Sequence, residues 1–292
     1  MNAVKNRSIA DLVRQRRSCR KYLEKPLAGE ARRPLETFLA ANRVGPFGGR
    51  ARFTLVAATA EDSSSLKGLG TYGFIAGATA FIVGAIEHGP RDLEDYGYLM
   101  ERAILLATDL DLGTCWLGGT FTKSRFAKKI ALAEGEQLPA IAAVGYAEDG
   151  SFSKDRIRTM AGSNSRRPAE ELFFDGAFGT PLSTADAGEY AGPLEMVRWA
   201  PSASNRQPWR IVRTAVGWHF HLARSKNYGK GSLLFVVLRL GDLQRVDMGI
   251  AMCHFELAAR EAGLAGAWVI EDPKIATPPA GVEYTATWRP AP

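Results

Sequence analysis

The sequence predicts an α+β fold made of two tandem copies of one unit. Helix-like and strand-like segments follow one another in the same order in both halves of the 292 residues. The stretch from Asp95 to Trp116 recurs at a constant offset of 152 residues, and both copies end on a tryptophan. Two copies of one unit in a chain usually pack about a pseudo-twofold axis, as the subunits of a homodimer do. We therefore expect a pseudodimer.

The elements of the first half can be assigned in order. Ser8, followed three residues later by Asp11, is typical of a helix cap, and Ile9, Leu12 and Val13 form one apolar stripe behind it. This short helix should end in the basic run that follows. The later elements are predicted as a helix beginning at Pro34, strands over 52–58 and 80–86, a long core helix over 95–113 and a strand over 139–146.

The second half repeats this order. Asp95, Gly97, Leu105, Ala107, Leu112 and Trp116 correspond to Asp247, Gly249, Leu257, Ala259, Leu264 and Trp268. The Pro34 helix corresponds to a helix at Pro193 with an offset of 159, and the strand over 80–86 corresponds to 234–239 with an offset of 153. We expect a first repeat over 1–175 and a shorter second repeat over 176–292. Chance similarity between helices of like composition is the alternative.

The composition says more about the cellular compartment of the protein than about the class of its binding partner. A formal net charge of +6 suits an anionic partner but does not distinguish nucleic acid, a membrane surface or a phosphorylated small molecule. Three distant cysteines, without a C-x-x-C pair or a secretory signal, indicate a reducing cytoplasm. The longest apolar run, over 74–86, falls short of the roughly 20 residues that cross a bilayer. We expect a soluble cytoplasmic chain with no membrane or metal partner.

The two halves differ in their polar motifs. The first contains the basic turn "RQRRSCRK" over 14–21, whereas the second has only "DAGEYAG" before its proline helix. The second contains "APSASNRQPW" over 200–209, whereas the first has "AANRVGPFGG" at the corresponding place. Each half lacks the polar motif that the other half contains. A composite site that needs one motif from each repeat would therefore occur once per chain.

The basic turn is a candidate phosphate site. Arg16, Arg17, Ser18 and Arg20 stand where the first helix should give way to a loop. Guanidinium groups match phosphate oxygens in a bidentate manner, and a serine hydroxyl completes the shell. A solvated basic face is the structural alternative. A nucleic-acid arm is a weaker one, because the run is short and lacks interleaved aromatic residues.

The polar segment after Ala200 is a candidate ring-binding loop. Pro201 and Pro208 each fix a φ angle, and the residues between them offer short hydrogen-bonding groups on a preset backbone. Such a loop suits a planar heteroaromatic ring, although a self-capped structural turn is equally compatible with it. Trp199 and Trp209 are interpreted as core anchors.

A third candidate is the glycine-rich segment after the long helix. Gly118 and Gly119 would let the backbone approach a ligand. Cys115, just before them, has no histidine near in sequence to activate it, so we interpret it as a buried thiol.

Taken together, these motifs resemble those of the nitroreductase family of FMN flavoproteins. "RQRRSCRKY" is similar to the family's R-x-S-x-R/K signature and "APSASNRQPWR" to its P-S-x-x-N-x-Q-P-W signature, while "DLGTCWLGG" and "SRRPAEELFF" match its post-helix segment and basic tail. The resemblance spans most of the chain and implies a nitroreductase-like α/β/α sandwich. Because the P-S-x-x-N signature lies in the second repeat, the chain resembles the single-chain, pseudodimeric branch.

The resemblance also implies a cofactor site. Arg16, Arg17 and Ser18 would bind the FMN phosphate and ribityl chain, joined by Arg166 or Arg167, and Arg20 would lie beside the N1 and O2 edge of the ring. The other implied ligands are Trp116, Leu117, Gly118 and Gly119 from the first repeat, and Pro201, Ser202, Ala203, Ser204, Asn205 and Gln207 from the second. The corresponding site in the other half is expected to be empty.

The implied activity follows from the cofactor. NAD(P)H would pass a hydride to flavin N5 and leave, and a nitroaromatic, quinone or similar electron-poor acceptor would then take the electrons, so that no catalytic side chain is required. A flavin-binding or sensing protein with little turnover is the alternative, because fold does not fix activity. We expect a monomeric pseudodimer or a weak homodimer, with a small-molecule acceptor and no nucleic acid as partner.

Overall fold

The computed structural model describes residues 4–58, 66, 69–148, 165–225, 241–275 and 278–291. Single 3₁₀ turns occur at Ala169–Glu171, Gly188–Tyr190 and Ala203–Asn205. The α-helices of these residues are α1 (Ile9–Gln15), α2 (Gly29–Ala41), α3 (Asp92–Asp109), α4 (Lys123–Lys129), α5 (Thr184–Ala187), α6 (Ala191–Trp199) and α7 (Leu243–Glu261). The strands are β1 (Ala51–Ala57), β2 (Ala80–Glu87), β3 (Gly113–Leu117), β4 (Glu136–Gln137), β5 (Ile141–Gly145), β6 (Phe173–Asp175), β7 (Trp209–Thr214), β8 (Gly217–Ala223), β9 (Gly266–Val269) and β10 (Val282–Pro290).

Each half contributes one sheet. In the first sheet β1, β2, β5 and β3 lie side by side in that order, all antiparallel, and β4 pairs with the end of β2. In the second sheet β7, β8, β10 and β9 lie in the same relative order and are also antiparallel, with β6 added parallel to β7. The identical strand order supports the predicted repeat.

Helices cover both faces of the first sheet. Residues 80–86 of β2 are all buried, so neither face of this strand meets solvent. On one face, Ile82 and Ile86 join the main core with α3. On the other face, Phe81 packs against Phe126 of α4, with ring centroids 5.2 Å apart. The α+β sandwich that the sequence predicts is therefore confirmed.

The two long helices pack against each other with the reciprocity that a pseudo-twofold axis requires. A Cβ on Gly97 of α3 would lie 2.1 Å from the carbonyl oxygen of Val246 in α7. A Cβ on Gly249 of α7 would lie 1.9 Å from the carbonyl oxygen of Glu94 in α3. Both pairs are related by the 152-residue offset found in the sequence. The two glycines thus bring the helix backbones into contact at equivalent points.

Several element boundaries differ from the predictions. The second helix was expected to begin at Pro34, but it begins at Gly29, so Pro34 lies inside it. Its Ala31, Leu35 and Leu39 are buried on one face, and this burial outweighs the hydrogen bond that the proline removes. The long helix ends at Asp109 instead of residue 113, because Asp111 adopts a positive φ of 59° and turns the chain into β3.

Two further differences concern the predicted division of the chain into two repeats. The strand predicted over 234–239 lies outside the described residues, and β8 holds the place in the second sheet that β2 holds in the first. β6 precedes the expected boundary at 175 but pairs with the second sheet. Within the described residues, no helix is both long and apolar enough to cross a membrane.

Candidate functional site

The basic turn begins where α1 ends. As predicted, Ser8 caps α1 by accepting a hydrogen bond from the Asp11 N–H, and the helix ends at Gln15, directly before Arg16. Arg16 is only 8% exposed, and its Nε lies 3.7 Å from Glu101 Oε1. Burial lowers the pKa of the Arg16 guanidinium, and the nearby carboxylate of Glu101 partly offsets that effect. A cation is therefore held at the inner end of the turn.

The turn lies against β3, which leads to the glycine-rich segment. Ser18 forms a parallel bridge with Thr114, and the N–H of Cys19 donates to the Thr114 carbonyl at 2.8 Å. Ser18 and Arg20 are partly buried, whereas Arg17 is exposed. The structure thus brings the basic turn next to the strand that carries residues 116–119.

Residues 116–119 face different surroundings. Trp116 donates from its indole to Glu101 Oε2 at 2.8 Å, and Leu117 is buried in the core. Gly118 packs against Leu243 at the start of α7, where a Cβ would lie 2.4 Å from the leucine side chain. Gly119 is exposed. Among the described strands, β3 lies at the end of the first sheet and pairs with β5 alone, apart from the bridge that Ser18 makes with Thr114. A strand in this position suits the expected role as a source of N–H donors.

In the second repeat, the polar loop meets the basic tail. We call residues 201–207 the second loop. The backbone N–H of Arg167 donates to Gln207 Oε1 at 2.9 Å, and Asn205 Nδ2 donates to the Ser165 carbonyl at 3.1 Å. The Arg166 guanidinium lies over the Trp199 ring, 5.2 Å from its centroid. Arg166 and Arg167 are therefore placed beside Asn205 and Gln207, as a shared site requires.

The second loop holds an unusual backbone conformation. Ser204, Asn205 and Gln207 have φ angles of 51°, 52° and 48°. Residues other than glycine seldom adopt this left-handed conformation, because it costs of order 1 kcal/mol or more per residue. Ser202 steadies the loop by accepting from the Gln207 N–H at 2.9 Å. Strain of this kind is typical of segments that position functional groups.

A buried polar chain connects the two halves of the site. His254 Nε2 shares a hydrogen bond with Glu101 Oε1 at 2.9 Å, and His254 Nδ1 donates to the Met196 carbonyl at 3.0 Å. Glu101 lies beside Arg16, and Met196 lies in α6, the helix that leads into the second loop. The link between the two motifs thus runs through the fully buried Glu101 and His254.

The corresponding loop of the first repeat is built differently. We call residues 43–50 the first loop. Asp95 accepts from the Phe47 N–H at 3.0 Å and from the Gly49 N–H at 2.7 Å. A Cβ on Gly45 would lie 2.3 Å from Asp95 Cγ, so the loop closes tightly around this carboxylate. Asp247, the equivalent of Asp95, accepts from the Ala203 N–H of the second loop at 2.9 Å, and within the described part of the chain its other carboxylate oxygen makes no hydrogen bond.

Several of these residues were missed in the sequence. Nothing in one sequence separates Glu101 and His254 from ordinary helix residues, although a carboxylate within an apolar helix is a signal of burial with a partner. The Asp95 and Asp247 pair was visible in the repeat, but its role in holding the two loops was not. Of the two tryptophans interpreted as core anchors, Trp209 is fully buried, whereas Trp199 is only partly buried. Cys115 is buried, as expected.

Comparison with known proteins supports the resemblance. The family model described as "Putative TM nitroreductase" matches residues 8–259. A structure from Thermotoga maritima MSB8, described as a "putative nitroreductase", has a TM-score of 0.61 and 19% identity, covering 97% of this chain and 94% of its own. None of the curated proteins matches the chain.

Smaller structures match part of the chain. A structure from Desulfovibrio desulfuricans, described as a "putative nitroreductase in complex with FMN", has 23% identity and a TM-score of 0.44, covering 61% of this chain and all of its own. One with bound FMN from Bacteroides fragilis NCTC 9343 has 19% identity and a TM-score of 0.39, covering 52% of this chain and 94% of its own. On the family match, which spans most of the sequence, this chain belongs to the nitroreductase family.

Proposed function

We propose that this chain is an FMN-dependent NAD(P)H oxidoreductase of nitroreductase type that reduces a small electron-poor acceptor, such as a nitroaromatic or a quinone. Membership of the nitroreductase family supports oxidoreductase chemistry. The observation that carries the proposal is the composite arrangement: the basic turn of the first repeat and the strained polar loop of the second are linked through Glu101 and His254. Such an arrangement would allow one ligand to contact both repeats.

The residues present fit FMN chemically. A terminal phosphate needs cations that are already desolvated, and Arg16 is one, with a buried Nε that makes no hydrogen bond among the described residues. The polar chain and flat ring of the cofactor need short amide and hydroxyl groups on a fixed backbone. Ser202, Asn205 and Gln207 provide them.

Each group then has a role toward the cofactor. Arg16, Arg17 and Ser18, with Arg166 and Arg167, would hold the phosphate, and Arg20 would place a positive charge beside the ring, favouring its anionic reduced form. Trp116 to Gly119 would offer backbone donors from the edge strand, and the second loop would line the ring from the other side. FMN, when bound, supplies the redox centre of the reaction.

The role of the protein is to bind and orient. Because no side chain is required as nucleophile, acid or base, we propose none. The second repeat supplies in one chain what a second subunit would supply in a dimer, so we propose a monomeric pseudodimer or a weak homodimer in the cytoplasm. The electron donor would be NADH or NADPH.

The colour of the purified protein tests the proposal. We expect a yellow protein whose flavin absorbance bleaches with NADH or NADPH and returns when a nitroaromatic compound is added. A yellow protein that neither nucleotide bleaches would be a flavin-binding or sensing protein instead. A colourless protein that cannot be reconstituted with FMN would contradict both functions.

A further inference from the structure

A carboxylate on the long helix of the first repeat meets side chains from three other segments. Glu101 of α3 is completely buried. Its Oε2 accepts from the Trp116 indole of β3 at 2.8 Å, and its Oε1 lies 2.9 Å from His254 Nε2 of α7. The Arg16 guanidinium of the basic turn lies beside it, with Nε 3.7 Å from Oε1. One side chain thus contacts two motifs of the first repeat and the long helix of the second.

Two hydrogen-bonded contacts hold this carboxylate in place. Each oxygen of Glu101 has a ring nitrogen in hydrogen-bonding range, and the two rings come from opposite repeats. His254 is itself fixed, because it is completely buried and its Nδ1 donates to the Met196 carbonyl at 3.0 Å. Trp116 is held by the pairing of β3 with β5. The position of the carboxylate is therefore determined by packing across the two repeats.

Arg16 is held by the same carboxylate in a different way. Its Nε is buried and makes no hydrogen bond among the described residues, and the 3.7 Å contact with Glu101 is too long for one. A buried charge that loses its partner is strongly destabilising, so the carboxylate keeps the guanidinium at the inner end of the basic turn. Charge, and not a hydrogen bond at Nε, holds it there. An arginine held in this way can direct its fork of donors to a phosphate.

The second repeat contains a similar carboxylate with a different cation. The strand tryptophan of that repeat, Trp268, donates to Glu256 Oε2 of α7 at 2.7 Å. The Tyr98 hydroxyl of α3 donates to the same oxygen at 2.9 Å, so this carboxylate is also held from both repeats. Its cation is Arg260, which lies one turn further along the same helix, donates from Nε at 2.7 Å and has a side chain 54% exposed. Of the two carboxylates, Glu101 is the one that holds a buried cation of the basic turn.

We propose that Glu101 is a positioning residue of the composite site: it holds the Arg16 guanidinium where the cofactor phosphate binds, and His254 holds Glu101 from the second repeat. The inference rests on the proposed function for the identity of the ligand. Binding groups must be held to within about 0.5 Å of their productive position, which is the task of such supporting residues. The second repeat therefore acts on the phosphate end of the site through a buried contact.

Glu101→Gln tests the proposal, with Glu256→Gln as the matched control. Both changes keep the shape of the side chain and an oxygen for the tryptophan indole, and both remove the charge. Flavin is stripped from each protein, and the dissociation constants of FMN and of riboflavin, which lacks the phosphate, are measured by flavin fluorescence. We expect Glu101→Gln to raise the constant for FMN at least tenfold and that for riboflavin less than twofold. Glu256→Gln should change neither constant more than twofold.

A double-mutant cycle shows whether Glu101 acts through Arg16. Arg16→Gln should also raise the FMN dissociation constant, and adding Glu101→Gln to it should raise the constant by less than a further twofold. A tenfold rise from Glu101→Gln in both backgrounds would mean that the carboxylate acts by another route, and it would overturn the proposal.

His254→Asn carries the test if Glu101→Gln fails to fold. The amide keeps a donor near the place of Nδ1 for the Met196 carbonyl but is too short to reach Glu101, so FMN binding should weaken at least threefold while riboflavin binding changes less than twofold. FMN constants within twofold of the parent in the folded variants, tighter FMN binding, or an equal loss of both flavins would overturn the proposal. A parent protein that binds neither flavin would contradict the proposed function itself, and this role with it.

Discussion

The first and second loops occupy corresponding places in the two repeats but hold their shape by different means. The first closes around Asp95, with two N–H donors to the carboxylate and glycines where a side chain would clash. In the second, one N–H donor to Asp247 is found among the described residues, and Ser204, Asn205 and Gln207 lie at positive φ in a loop without glycine. One loop is relaxed, and the other is strained.

The difference bears on which of the two loops would contact a ligand under the proposed function. Glycine adopts a positive φ at no steric cost, as Gly48 of the first loop does at a φ of 85°. The second loop instead has Ser204, Asn205 and Gln207 at positive φ within four residues, a conformation compatible with a segment that positions polar groups. The comparison therefore supports the proposal that the second loop, and not the first, contributes to the composite site.

The largest predicted effect tests the symmetry on which the comparison rests. Gly97→Ala and Gly249→Ala should each destabilise the protein by about 3 kcal/mol or more, because the added methyl meets helix backbone in both cases. Chemical denaturation measures the loss. Gly192→Ala in α6, where a Cβ meets open space, is the matched control and should be neutral or slightly stabilising. A large effect in only one of the two helices would contradict the reciprocal packing.

The next effect concerns cofactor affinity. Asn205→Gly deletes the amide while keeping a residue that tolerates the observed φ of 52°. We expect the FMN dissociation constant to rise about tenfold, which corresponds to about 1.4 kcal/mol. Arg43→Ala, at an exposed position of the first loop, should leave it unchanged. Flavin fluorescence during titration measures both dissociation constants. Weaker FMN binding in Arg43→Ala and unchanged binding in Asn205→Gly would mean that the account places the site in the wrong repeat.

A pH effect distinguishes the two aspartates. Burial raises the pKa of Asp95 to about 6, against the two backbone hydrogen bonds that lower it. The folded state therefore binds more protons than the unfolded chain between roughly pH 4 and pH 6, and the Asp95 contribution to stability falls as pH rises through that range, by roughly 2 kcal/mol. Asp95→Asn removes this titration. The stability difference between parent and variant should favour the parent most at acid pH, and a difference independent of pH would contradict the assignment.

The smallest predicted effect is at Asp247. Burial raises the pKa of its carboxyl well above the usual range, and its Oδ2 makes no hydrogen bond among the described residues. Asp247→Asn keeps an oxygen for the Ala203 N–H and removes the buried acid, so we expect a change within about 1 kcal/mol at neutral pH. Asp95→Asn should cost more there, because an amide cannot accept both N–H donors with one oxygen. Equal losses at both positions, measured by denaturation, would remove the distinction between the loops.

Much of the fold could be predicted from the sequence because the repeat is regular. The 152-residue offset identified Gly97 and Gly249 as equivalent, and they proved to be the contact points of the two long helices. The helix start predicted at Pro34 was wrong, because burial of Ala31, Leu35 and Leu39 on one helix face outweighs the tendency of proline to begin a helix. The Glu101 and His254 pair could not be predicted, since its two residues meet only through tertiary packing across the repeats.

The central claim, that the two repeats form one composite site, is tested most directly by the number of FMN molecules bound per chain. Protein saturated with FMN and freed of excess by gel filtration can be denatured, and the released flavin measured against protein concentration. The account predicts one FMN per 292-residue chain. Two per chain would mean that the first loop also serves a site, and none would mean that the basic turn and the second loop do not act together.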